Sequence, residues 1–91
     1  MSNVDQEKSI AFAVRIVNLH RLLMTEKKEF VLSKQLLRSG TAIGALIREA
    51  EQAESKPDFV HKMAIALKEA NETEYWLELL HATNYLETIA F

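Results

Sequence analysis

The sequence predicts an all-α fold, an antiparallel up-down helical bundle. Three observations predict it. Apolar residues recur at helical spacing along three long segments. Only two glycines and one proline occur in 91 residues, too few for a turn-rich β fold. Strand signals are almost absent. Short connections make sequential helices antiparallel. The length gives one domain, residues 1–91, with helices over about 5–24, 33–54 and 57–82.

The first helix is capped by Asn3 or Asp5. Ile10, Phe12, Ala13, Val14, Ile16, Val17, Leu19, Leu23 and Met24 fill more than half of its circumference, and Arg15, Asn18 and Arg21 fill much of the rest. One core needs a stripe only about 100° wide. So broad an arc predicts contact with two surfaces, such as the bundle and another subunit. A polar connection, TEKKEF, follows. The second helix starts with Ser33 as N-cap, and Leu32 before it staples against Leu37. Its inner seam reads Leu32, Leu36, Ser39, Ile43, Leu46, Ala50, Ala53, a heptad pattern.

Both glycines, Gly40 and Gly44, lie inside this helix. Each costs about 1 kcal/mol relative to alanine. Beside Ser39, Ala50 and Ala53 they make a small-residue surface that a neighbouring backbone or a bulky ring can approach closely. A kink at Gly40 is the alternative. Ser55 caps the third helix with Asp58 three residues on, and Pro57 sits harmlessly in the first turn. The third seam is read as Phe59, Met63, Leu67, Ala70, Glu74, Leu77, His81, with Trp76 and Leu80 widening the arc. Asn84 ends the helix, and the residues after it read as the start of a further segment. Three helices with arcs this wide call for a fourth, or for a partner.

The totals exclude several functions. No cysteine is present, so neither disulfides nor thiolate metal sites exist. No apolar run reaches the ~18 residues of a membrane span, and MSNVDQEK has no signal-peptide pattern. The default compartment is the cytoplasm. A chain this short is marginal as a monomer, and oligomerisation is one remedy. The net charge is −2, unevenly placed: residues 1–50 carry eight Lys/Arg against five Asp/Glu, and residues 51–91 carry three against eight. Such a split is either a basic face for nucleic acid or complementary halves that pair within or between subunits.

No constellation for a reaction emerges. Glu78 and His81 have the Glu-x-x-His spacing of di-iron bundles, as do Asp58 and His61, but the further inward glutamates are missing. His20 reads as hydrogen-bonded packing or an interface residue, and no metal or cofactor is expected. Glu74, placed on the apolar seam, is either held in an interhelical ion pair, with Arg38 and Arg48 as candidates, or sits at a seam edge that stays wet. Gly40 and Gly44 lack the ending of a phosphate loop. Lys34, Arg38, Thr41, Ala45 and Arg48 recur at steps of 4, 3, 4 and 3 on the outward side of the second helix, with Arg15 and Arg21 on the first. This basic stripe either follows a phosphate backbone or pairs with the acidic third helix. No aromatic residue is interleaved with it, so base stacking is not indicated.

The stretches LSKQLLRSGTAIGALIREA and SKPDFVHKMAIALKEANETEYWLELL carry a further pattern: Gln35-Leu-x-Arg38-Ser39, Ile43, Ile47-x-Glu49-Ala50, Asp58-Phe59, Ile65-Ala66, Glu69, Glu72 and Trp76-Leu77. As a set it resembles the bacterial four helix bundle protein family, which includes the 23S rRNA-intervening-sequence proteins. The accessory protein of diversity-generating retroelements is similar. The resemblance implies an antiparallel four-helix bundle that forms a ring, commonly a pentamer. It implies that Arg38, Glu49, Glu69 and Glu72 make structural contacts between helices. For the retroelement relatives it implies binding of RNA and a reverse transcriptase through a basic surface. Two departures stand out: Leu46 occupies a position where the family has Asn, and the fourth helix is missing or truncated. The expectation is a non-enzymatic, ring-forming binding or scaffold module for RNA or an RNA-handling protein. Its expected contacts are Lys34, Arg38, Arg48, Arg15 and Arg21. The alternative is a purely structural oligomer with a protein partner.

Overall fold

The computed structural model describes residues 3–87. Three helices, α1 (Asn3–Thr25), α2 (Leu32–Glu51) and α3 (Lys56–Ala82), form a rod of 44 × 20 × 19 Å, with no strand among the described residues. α2 is central. It packs against α1 on one side and α3 on the other, while α1 and α3 make no close backbone approach. Both pairs are antiparallel. Ile16 meets Gly40 and Ser9 meets Gly44, whereas Ser39 pairs with Thr73 and Glu49 with Lys62.

Helix boundaries differ from expectation in two informative places. Ser33 is not the N-cap of α2. The helix begins at Leu32, and the cap is the carboxylate of Glu29, which accepts backbone N–H groups from Val31 (3.2 Å), Leu32 (3.0 Å) and Ser33 (2.7 Å). Three otherwise orphaned donors of the first turn are thereby satisfied. The Ser33 hydroxyl donates to the Glu29 carbonyl at 2.7 Å instead. Lys28, at φ 55°, turns the chain so that the Glu29 N–H reaches the Leu23 carbonyl at 3.0 Å. At its other end α2 stops at Glu51 rather than near residue 54. Gln52 and Ala53 donate to the Glu49 and Ala50 carbonyls at 3.1 Å, a tightened last turn. The Glu54 N–H goes to Asp58, already part of the α3 start.

The cap of α3 is as predicted: Ser55 is extended and its hydroxyl accepts the Asp58 N–H at 3.2 Å. Asn84 ends the helix at φ 69°, with the Tyr85 N–H on the Leu80 carbonyl at 2.9 Å and the Asn84 N–H on that of His81 at 3.1 Å. This is a Schellman cap. Tyr85 and Leu86 then fold back onto the core. The further segment read at the end of the sequence lies mainly in residues 88–91, outside the described residues.

The seam of α3 needs correction. Leu67 is 64 % exposed and Glu74 and His81 are exposed, whereas Ala66, Thr73 and Leu80 are buried. The inner positions are therefore Phe59, Met63, Ala66, Ala70, Thr73, Leu77 and Leu80, an unbroken 4-3 repeat. Small residues occupy positions that the sequence reading gave to a large apolar neighbour and to Glu74, because α3 lies close to the small-residue seam of α2.

The core is concentrated at one end, where Ile16, Leu23, Leu36, Leu77 and Leu80 form a buried cluster flanked by Tyr85 and Leu86. Burying such a side chain contributes about 1.5–3 kcal/mol. Towards the other end α1 and α3 leave a groove over α2, lined by Phe12, Ile43, Ile47, Met63 and Ala70.

Candidate functional site

The two faces of α2 are built differently. Towards α1 the contact is backbone-close. A Cβ on Gly40 would lie 2.8 Å from Ile16 Cγ2 and 2.9 Å from Cγ1, nearer than real Cβ atoms come. On Gly44 it would lie 3.3 Å from Ser9 Cβ and Oγ. The helix runs continuously through both glycines. They buy proximity, and the polar groups beside them keep it: His20 Nδ1 bonds the Ser33 carbonyl at 3.0 Å, and Gln6 donates to Glu51.

Towards α3 the contact is a polar ladder. Ser39 and Thr73, both buried, share a hydrogen bond at 2.9 Å, and the Thr73 hydroxyl lies 2.8 Å from the Glu69 carbonyl oxygen. Outside them Arg38 reaches Glu69 at 3.2 Å and Glu72 in a second ion pair. Trp76 donates its indole N–H to the same Glu72 oxygen at 2.9 Å. This hydrogen bond, with the one from Arg38, holds the Glu72 carboxyl below its usual range, and the Glu72 carboxylate in turn raises the guanidinium of Arg38. Further along, Lys62 pairs with Glu49 at 3.1 Å.

The basic stripe of α2 is thus divided. Arg38 and Arg48 lie about 80° apart around the helix, since ten residues at ~100° each leave that offset. Arg38 leans to α3 and is taken up by two glutamates. Arg48 leans to α1, beside Gln6, Glu7 and Ile10. Lys34 and Arg48 are exposed and make no hydrogen bond or ion pair among the described residues. Arg15 and Arg21 are exposed on α1. Glu74 makes neither of the ion pairs offered for it, with Arg38 or Arg48, and is the wet seam edge instead. It is exposed, edges the groove beside Thr73, and makes no polar contact among the described residues.

Among the described residues no three His, Asp or Glu side chains converge as a metal site would require. Asp58 is engaged by the Glu54 N–H, and His81 Nε2 lies 3.2 Å from the Glu87 carbonyl. Among the described residues no helix is long and apolar enough to cross a membrane.

The model of a protein family described as 23S rRNA-intervening sequence protein matches residues 4–91. The chain belongs to that family. A similar solved structure is the crystal structure of a protein of unknown function from the S23 ribosomal protein family of Bacteroides thetaiotaomicron. The two are 69% identical, with a TM-score of 0.88, and the match covers 89% of this chain and 75% of that one. Comparison with curated proteins finds no match. In this intervening-sequence family member, the residues picked out by resemblance take distinct places. Arg38, Glu69 and Glu72 form one cluster, and Glu49 pairs with Lys62 some way along α2. Sequence reasoning missed Glu29 and Thr73. Glu29 was hidden in a polar loop, although a carboxylate shortly before a helix is a capping signal. Thr73 was hidden by its larger neighbours.

Proposed function

We propose that the protein is a non-enzymatic binding module that assembles with copies of itself and holds RNA through the cations of α2 and α1. The observation that carries this is the division of the α2 stripe. Arg38 is committed to Glu69 and Glu72, while Lys34 and Arg48 stay exposed and form no ion pair among the described residues. Unpaired cations along one helix suit phosphates, which bind through counterion release. Arg21 and Arg15 extend the surface on α1. Arg38 serves as a strut between helices.

Self-assembly into a ring, with five subunits as the expected number, is supported by Ile10 and Val14, 48% and 53% exposed on the outer face of α1. Scattered single apolar residues need no partner, but a pair four apart on one helix makes a face. The open groove is a second apolar surface for such contacts. The assembly acts in the cytoplasm and needs no cofactor.

The test is fluorescence anisotropy with a labelled structured RNA at about 50 and 200 mM salt. Binding that falls steeply with salt, and weakens in a Lys34→Ala, Arg48→Ala double variant, is expected. No binding at the lower salt would favour a structural oligomer, held by its complementary charges and dissociated by high salt alone.

A further inference from the structure

We propose that the α1–α2 loop is a stacking platform for an unpaired nucleotide, with Phe30 under the base and Lys27, Lys28 and Lys34 on the flanking phosphates. This rests on the RNA reading above and names the part of the RNA that is recognised.

Phe30 is 47% exposed and Val31 72%, at the tip of the rod, although Leu32 next to them packs against the core. Neither belongs to the buried cluster of Ile16, Leu23, Leu36, Leu77 and Leu80. Lys27 and Lys28 precede the ring and Lys34 follows it one turn into α2, all three exposed. Two acids share the loop. Glu29 is buried and turned inward onto three backbone N–H groups, so only Glu26 faces solvent against the three lysines. On α2 itself no aromatic residue sits among the cations, but in the loop one does.

The loop is also held in shape. The residues on either side of Phe30 are tied: Glu29 N–H to the Leu23 carbonyl, and Val31 N–H to the Glu29 carboxylate. A ring presented on a fixed backbone loses little freedom on binding. Aromatic rings with nearby cations are how single strands are held without base readout. In an A-form duplex the bases are already stacked and offer no face. A membrane surface is the poorer fit, because the two exposed apolar side chains, Phe30 and Val31, insert little area.

The experiment compares an unstructured single-stranded RNA of about 12 nucleotides with a blunt duplex of equal length, at ~50 mM salt. The proteins are wild type, Phe30→Ala and Phe30→Trp. The expected result is a loss of roughly 5- to 150-fold for Phe30→Ala on the single strand. The salt slope stays unchanged, Phe30→Trp retains affinity, and the duplex shows no such loss. Equal losses on both RNAs, or a silent Phe30→Ala, would overturn the platform while leaving the RNA reading intact. A wild type that binds neither RNA would overturn both. If Phe30→Ala instead lowers the oligomer size by sedimentation, or abolishes binding to phosphatidylserine vesicles in a protein without RNA affinity, the ring is a subunit contact or a membrane anchor. Either result overturns the proposal.

Discussion

The two faces of α2 hold their neighbours by opposite means. Towards α1 the helix removes side chains, so that Ile16 and Ser9 sit against the bare backbone of Gly40 and Gly44. Towards α3 it extends them, through Ser39 and Arg38 to Thr73, Glu69 and Glu72. The first contact depends chiefly on close shape, with little slack at Gly40. The second depends on charge and hydrogen bonds, is half solvated, and yields a little at each rung. Shape complementarity makes added atoms costly. Exposed ion pairs contribute about 0–1 kcal/mol each.

The comparison breaks first at Gly40. Ile16→Ala alone costs about 2–5 kcal/mol by cavity formation. Gly40→Ala gains about 1 kcal/mol of helix propensity but forces Ile16 aside, for a net loss of about 1–2 kcal/mol. Because the new methyl group fills space that Ile16 vacates, the double variant is expected to lose at least ~1 kcal/mol less than the sum. Urea melts of the four proteins check this. Strict additivity would mean that the two residues do not compete for the same space. Gly44→Ala, whose neighbour is the small Ser9 side chain, loses less than Gly40→Ala in the same melts.

Next is the buried rung. Thr73→Val keeps the shape but removes the hydroxyl, stranding Ser39, whose remaining contact is the Leu36 carbonyl at 3.5 Å. A loss of about 1–2 kcal/mol is expected. Thermal melts that match wild type would show that this hydrogen bond contributes nothing.

The smallest effects lie at the outer rung. Arg38→Ala is expected to cost at most ~1 kcal/mol, and less in 1 M salt, where exposed pairs are screened. Acid acts through Glu72. Its folded pKa is depressed, so its contribution is present above the unfolded value of ~4.3 and lost as pH falls through the folded one. Glu72→Gln should therefore lower the melting temperature at pH 7 and flatten the decline on acidification. A parallel decline in both proteins would remove Glu72 from the acid response.

Local chemistry was the readable part. The three helices, the Ser55 cap, the Asn84 stop and the small-residue surface of α2 each follow from a few adjacent residues. The α2 seam was legible from Leu32 to Ala50 because its 4-3 repeat is written in apolar and small residues alike, while Ala53, read as its last position, lies past the helix end. The α3 seam was not, since Leu67 and Ala66 both fit a helical stripe and only the closeness of α2 selects the alanine. The Glu29 cap depends on Lys28 adopting a left-handed turn, which a lysine rarely does. For the candidate site, the cations were visible from spacing. Their division was not, because residues about 80° apart on one stripe lean to different neighbours.

That division is tested most directly by two single substitutions one turn apart on α2. Lys34→Ala and Arg38→Ala are compared in RNA titrations across about 50–200 mM salt, with melting curves on the same samples. The expected result is that Lys34→Ala weakens binding and lowers the salt slope by about 1 without changing stability. Arg38→Ala lowers stability and leaves the slope unchanged. The reverse pattern, with the slope falling for Arg38→Ala and not for Lys34→Ala, would make the paired arginine the nucleic-acid contact and contradict the assignment of struts and contacts.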